Sequence, residues 1–499
     1  MFMCRQTKRT ARLLCLALAL CLISLGACSE KKPEEKALSA ADASPSDPDA
    51  GTETQAAETE PEYVFEEADY GGRDFTVFAA REFVSEIYAE EQTGSLANDV
   101  IRDRNLTVES QYNVRIGVQE GDSNNANDFP KLKAMVAAGE SGIDLVDIHA
   151  YKAHNLILAD CLVNWHEIPG AELSNSWWLT ESNEASTFGG KLYAAGGALN
   201  LTSLTHDWCM FYNPVIVENV GIGVTNLQET VITGEWTLDK LESIVKDVYV
   251  DLNGDGQRGL EDQYGFVAFW STLDPMFTAA GLSMTGRDDE GNPVITFMSE
   301  QTVDLYNKWY SIIFNEEGVF PAPEAWQITI DAFLGGNAMI IPGVVNFAYQ
   351  MADMEDGYGI IPYPKWNEQQ EKYYTMPVDS ASILGVLTTA DLSDHRIGNV
   401  VEALNYYSRR DVFPAYYDIL LKGRYSLDRN TAAIIDMFIP NAKYEFAVQF
   451  SENSGPPLYR LSYFMRDLVH NQNADIASAF AKVQKPIDKG LNSIMKHYQ

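Results

Sequence analysis

IDLVDIHA, residues 143–150, is apolar almost throughout. That is the pattern of a strand covered on both faces, because a strand with one wet face alternates polar and apolar residues. Working back from it, DFPKLKAMVAAGESG at 128–142 reads as a helix stopped at Gly139, and NVRIGV at 113–118 as a second strand. LANDVIRDRNLTVESQY at 96–112 carries Leu96, Val100, Ile101 and Val108 at helical spacing. FTVFAA at 75–80 follows a turn at Gly71 and Gly72 and is a strand by its β-branched and aromatic content. Strand, helix, strand, helix, strand predicts an open α/β sheet whose ligand side lies beyond the carboxyl ends of its strands. His149 and Tyr151 fall at such an end.

Working forward, the chain passes WHEIPGAELSNSWW at 165–178 and leaves the first lobe for a second strand system at CMFYNP, 209–214. WTLDKLESIV at 236–245 reads as a helix with Thr237 as its N-cap. YGFVAFW at 264–270 is a strand ending in aromatics, and SASILGVLTT at 380–389 is a strand returning to the first lobe. Helices are expected at 396–410, 413–423, 430–438 and 464–493. The length suits two lobes. The expected division is 70–204 with 378–425 for the first and 205–377 with 426–499 for the second.

Ahead of them, Arg5, Lys8, Arg9 and Arg12 precede an apolar run from Leu13 to Leu25, and Leu25, Gly26, Ala27, Cys28 form a lipobox. The run is shorter than the roughly 20 residues of a membrane span. Residues 1–27 are expected to be a signal peptide and Cys28 a lipidated first residue, placing the body on the outer face of the cell membrane. Residues 28–69, rich in Ser, Glu, Pro, Ala and Asp, read as a disordered tether. The net charge of −35 repels nucleic acid and anionic lipid. Cys161 and Cys209 are the two cysteines beyond Cys28. They are either a disulfide or two buried thiols, since their spacing matches no metal pattern.

DLNGDGQRGLED at 251–262 places Asp251, Asn253, Asp255, Gly256, Gln257 and Asp262 at positions 1, 3, 5, 6, 7 and 12 of a calcium-type loop. Asp stands at 12 where Glu is usual, Arg258 at 8 where such loops carry an apolar residue, and Gly259 at 9. The alternatives are a structural calcium site and a metal-free Asp/Gly turn. No other cofactor is indicated. Nucleophile-elbow, zinc and phosphate-loop motifs are absent from supporting contexts. A glycosidase carboxylate pair is defined by separation in space, so sequence leaves it open. Trp177, Trp178, Trp208, Trp270, Trp326, Phe347, Tyr416 and Tyr417 lie near Gly, Asn and Asp at expected strand ends. Such mixed sets suit neutral polar ligands with apolar faces.

In order along the chain, LKAMVAAGESGIDLVDI, LYAAGG followed by MFYNP, GEWTLDKL, DLNGDG with DQYGF, GGNAMII, GIIPYPKW with YYTMPVD, and AYYDILLKGRYSLD resemble the family 1 extracellular solute-binding proteins, the lipoprotein receptors of carbohydrate ABC importers. The resemblance implies a periplasmic-binding-protein-like fold of type II: two α/β lobes, a hinge, and a cleft that closes on a sugar. It also implies a monomer that hands its solute to ABC permease subunits, with no catalysis. The family's contacts would fall on His149, Tyr151, His206, Asp207, Trp270, Asn346, Phe347, Asp379 and Ser380. Trp270 would supply a stacking face and Asp207 a hydroxyl acceptor. A cell-surface glycoside hydrolase and a non-transport adhesion module are the rival readings.

Overall fold

The computed structural model describes residues 63–322, 326–421, 429–452 and 458–499. The signal peptide, Cys28 and nearly all of the tether lie outside the described residues, as does part of the AYYDILLKGRYSLD stretch. In chain order the strands are β1 (Arg73–Ala79), β2 (Val114–Glu120), β3 (Leu145–His149), β4 (Trp208–Tyr212), β5 (Tyr249–Val250), β6 (Gln263–Ala268), β7 (Thr285–Arg287), β8 (Pro293–Ile295), β9 (Val319–Pro321), β10 (Ala338–Val344), β11 (Gly359–Ile361) and β12 (Ser382–Gly385).

One sheet has the order β12-β3-β1-β2, with β1 parallel to both β2 and β3 and β12 antiparallel to β3. Every residue of β3 is buried, as its unbroken apolar run requires. The helix Asp128–Ala138 ends on Gly139 at φ 70°, a left-handed conformation that costs glycine nothing. The other main sheet has the order β11-β4-β10-β6-β5, with β9 also paired to β6. β4 is antiparallel to β10 and β11, whereas β10 and β9 run parallel to β6. The Thr237 hydroxyl accepts the Lys240 N–H and so caps the helix Leu238–Val245. The described residues therefore form a mixed α/β molecule with two main sheets packed with helices and a separate β7-β8 hairpin.

Two passes join the sheets side by side. On the way out, Asp207 pairs with Pro377 of the return pass. The Val378 N–H donates to the His206 carbonyl at 2.9 Å, and the Trp208 N–H to the Met376 carbonyl at 3.1 Å. The end of β10 docks on the same strip, where Val345 N–H donates to Asp207 O and Asn346 N–H to Thr205 O, at 3.0 and 2.7 Å.

A third pass comes from the C-terminal region. The 3-10 helix Phe446–Phe450 packs on the turn Ala150–Lys152 beyond β3, and the helix Phe464–His470 packs on the turn Trp270–Leu273 beyond β6. The chain end then returns to the first sheet's surroundings, with Tyr498 edge-on to Tyr193 at 5.0 Å. Among the described residues, the C-terminal region thus touches elements that follow both sheets. The expected helix 464–493 is two helices, Phe464–His470 and Ile476–Tyr498, separated where Gln472 takes a positive φ. The helix expected at 396–410 leaves α geometry after Tyr407, where residues Ser408–Val412 form a π turn. Cys161 and Cys209 are buried free thiols.

Candidate functional site

The carboxyl ends of β1, β2 and β3 are followed by three short turns, and the turn Ser123–Asn125 after β2 holds the other side chains in place. Asn125 Oδ1 accepts the His149 backbone N–H at 3.1 Å and lies 2.9 Å from its Nδ1. Asn124 Oδ1 accepts the Tyr151 hydroxyl at 2.6 Å, and its carbonyl accepts Lys152 Nζ at 2.7 Å. Both asparagines have positive φ, which Asn tolerates better than most residues with a side chain. Sequence reasoning passed over them; the available signal was an Asn-Asn pair in the Gly-Asp-Ser-Asn-Asn turn that follows a strand.

Burial lowers His149 to about 4, and Lys152 and His206 push the same way while Glu82 opposes. Burial also lowers His206 to about 4, with its Nδ1 2.9 Å from Thr205 Oγ1. Both rings are therefore neutral near pH 7, serving as hydrogen-bonding groups without charge.

Asp379, on the return pass, meets this group from the other side. Its carbonyl accepts the Tyr151 N–H at 3.1 Å and its carboxylate accepts the Tyr463 hydroxyl. Burial raises its pKa against the effect of that hydrogen bond. Burial, with Asp379 adding to it, pushes the Tyr151 phenol up to about 12. His149, Tyr151, His206 and Asp379 are thus brought together, and Ser380 follows on the same pass. Glu452, from the third pass, accepts Asn155 Nδ2 at 2.9 Å and lies 3.7 Å from Lys152 Nζ.

On the second sheet, Trp270 begins the turn after β6. The Arg466 guanidinium lies over its ring at 4.2 Å and over the Tyr463 ring at 4.4 Å, and Arg466 is paired with Asp274 through Nε and Nη2. One face of Trp270 is accordingly taken by the protein itself, which leaves its other face for the stacking expected of it. Trp270 also lines a cavity of about 220 Å³ at the ends of β6 and β9, with Phe269, Phe314, Pro321 and His470. Asn346 and Phe347 follow β10. Phe347 is stacked on Trp326 at 5.3 Å, and Trp326 keeps 43% of its surface exposed. The Asn346 amide and the Ser380 hydroxyl are half-buried and make no hydrogen bond among the described residues.

Asp207 departs from its expected role. It is fully buried, and neither carboxylate oxygen has a hydrogen-bond partner among the described residues. A group closed off in the joint between the sheets cannot accept a ligand hydroxyl, and burial holds its pKa well above the ordinary carboxylate value.

The calcium-type loop is braced from within. Asp251 accepts the N–H groups of Gly254 and Gly256 at 2.7 and 2.9 Å, Asn253 that of Asp255 at 2.8 Å, and Asp255 that of Gln257 at 2.7 Å. Asp262 is fully buried and accepts Leu252 N–H at 3.2 Å and Gly259 N–H at 3.1 Å. Arg258, the departure at position 8, donates to the carbonyls of Glu317 and Val319 and ties the loop to the sheet. Among the described residues, no three His, Cys, Asp or Glu side chains are grouped so as to hold a metal ion.

No family model matches the chain, and no curated protein matches it. Solved structures do. UspC of M. tuberculosis superposes with a TM-score of 0.52 at 12% identity, covering 84% of this chain and 100% of its own. The GacH receptor of Streptomyces glaucescens GLA.O, solved unliganded and with acarbose, gives 0.51 at 12% identity, covering 84% and 99%. The galacto-N-biose/lacto-N-biose I-binding protein of a Bifidobacterium longum ABC transporter, bound to lacto-N-biose, gives 0.51 at 13% identity, covering 85% and 98%. The chain has their fold. In this solute-binding-protein fold the side chains gathered above lie where strand ends and connecting passes meet.

Proposed function

We propose that this chain is an extracytoplasmic receptor that binds a sugar or oligosaccharide between its lobes and delivers it to an ABC importer, without turnover. One observation supports the ligand class above others. The charges at the strand ends have protein partners, Lys152 with Glu452, Arg466 with Asp274 and Asp379 with Tyr463, so a charged solute finds no ready counter-ion. The groups left for a ligand are neutral: the Asn346 amide, the Ser380 hydroxyl, two uncharged histidines, and aromatic surface at Trp270, Trp326 and Phe347. That set suits hydroxyls and the C–H faces of a pyranose. Anchoring through lipid on Cys28, a monomeric body and docking to permease subunits belong to the same proposal and rest on the lipobox and the fold.

Calcium at the loop 251–262 is a separate element of the proposal. Asp251, Asn253, Asp255, the Gln257 carbonyl and Asp262 would be the ligands, and the ion would brace the second sheet without touching the solute.

The deciding experiment incubates the body, residues 61–499, with a panel of neutral glycans and measures both binding heat and new reducing ends. Binding without product is expected, together with a rise in melting temperature, because a ligand that binds only the folded state stabilises it. Product formation makes the chain a glycoside hydrolase. Absence of any thermal shift across the panel favours an adhesion module.

A further inference from the structure

We propose that Arg466 is a specificity-determining residue of the interlobe site, presenting one edge of its guanidinium to the hydroxyls of a neutral solute. The inference rests on the receptor reading above and deepens it. A guanidinium has two flat faces and five N–H donors in a fixed fork. Arg466 lies over two aromatic rings, Trp270 at 4.2 Å and Tyr463 at 4.4 Å, and its side chain keeps 15% of its surface exposed. Nε and Nη2 are pinned by Asp274. Nη1 makes no hydrogen bond among the described residues, and it is not among the buried side-chain atoms left without a partner. It is therefore a donor still open to solvent on an otherwise clamped side chain.

Its surroundings place that donor at the site. Trp270 ends the approach of β6, and Tyr463 donates to Asp379, whose carbonyl accepts the Tyr151 N–H on the first sheet. Arg466 is the middle link of a chain that runs from one sheet to the other through the third pass. Asp274 cancels its charge, so the open edge recognises oxygen lone pairs by direction and gives little preference to anions. A side chain held so rigidly gives up little conformational freedom when it binds, which is what discrimination between epimers requires.

The test uses Arg466→Lys, which keeps the charge for Asp274 but loses the planar fork. Calorimetry against a set of epimeric neutral disaccharides, with the matching uronate as control, is run on parent and variant. Expected are at least a tenfold loss of affinity for the best sugar and an altered ranking among epimers, with no selective gain or loss for the uronate. A lowered melting temperature with the ranking and affinity unchanged makes Arg466 structural and overturns the inference. If Arg466→Lys does not fold, the double variant Arg466→Met with Asp274→Leu removes the ion pair as a unit, an exchange that buried pairs often tolerate. A folded double variant that binds the same sugars as tightly also overturns it. Failure of the parent to bind any sugar strikes instead at the receptor reading.

Discussion

Two groups of acids lie in this molecule under opposite physical conditions. In the loop 251–262, Asp251, Asp255 and Asp262 each accept backbone N–H groups of their own turn, Asp262 from a fully buried position. Where the sheets are joined, Glu86, Asp147 and Asp207 are sealed from water. Glu86 accepts the Thr202 N–H at 3.1 Å and the Ser382 hydroxyl at 3.3 Å, and Asn200 Nδ2 donates to Asp147 at 3.1 Å. The second oxygen of Asp147 and both oxygens of Asp207 have no hydrogen-bond partner among the described residues. Arg104, the nearby cation, spends its N–H groups on the carbonyls of Glu86 and Ile87, the Ser408 hydroxyl and Asn105. Burial raises the pKa of all three acids. The loop looks like the site and is self-contained, whereas the joint is unmarked in the sequence and carries the electrostatic strain.

The sharpest way to break this contrast is a pH series on Glu86→Gln. A carboxyl whose folded pKa lies above its unfolded value favours the protonated form. Its penalty is absent below the ordinary value of 4.5 and grows as pH rises above it. The variant is expected to match the parent near pH 4 and to exceed it by about 2 kcal/mol or more at pH 8, read from urea unfolding. His149 and His206, buried neutral, act the other way between about 6.5 and 4, losing stability as pH falls. They are common to parent and variant and cancel in the difference. A gap that does not widen with pH breaks the reading of the joint.

Asp207→Asn tests the same idea at the acid without any partner. Stability at pH 8 is expected to rise by about 1 to 2 kcal/mol, within the range of relieving an unsatisfied buried group, and sugar ranking to stay as in the parent. A changed ranking would return Asp207 to the ligand site. The smallest effect belongs to the loop. Calcium is expected to raise the melting temperature of the parent by a few degrees, about 1 kcal/mol for a domain of this size, and not that of Asp251→Asn with Asp255→Asn. Sugar affinity is expected to be equal in both. An identical calcium response in the two proteins removes the ion from the loop.

β3 was legible in IDLVDIHA because a strand covered on both faces needs a nearly continuous apolar run, and β1 and β2 were legible in FTVFAA and NVRIGV through their β-branched and aromatic content and their alternation with helical segments. The helix stop at Gly139 and the cap at Thr237 were legible for an equally local reason: each depends on one residue's backbone or side chain and the next few residues. His149, Tyr151, His206 and Asp379 could be placed at strand ends and passes. What each touches could not. Asn124 and Asn125 were missed because their importance lies in partners 24 to 28 positions away. The Arg466 contact of Trp270 was not legible because nothing near the tryptophan in sequence announces an arginine that reaches it from almost 200 residues further on.

The sequence by itself determined most of the elements, their alternation, and the chemical character of the loop 251–262, since all of these are set by hydrophobic period, turn residues and spacing. Only the tertiary structure decided which groups are free to meet a solute. Burial and partnership are properties of surfaces brought together by the three passes between the sheets. Asp207 and Arg466 show this from opposite sides. The acid placed at the pass by sequence is sealed within it, and the arginine that sequence left unremarked lies over two aromatic rings and pairs with Asp274.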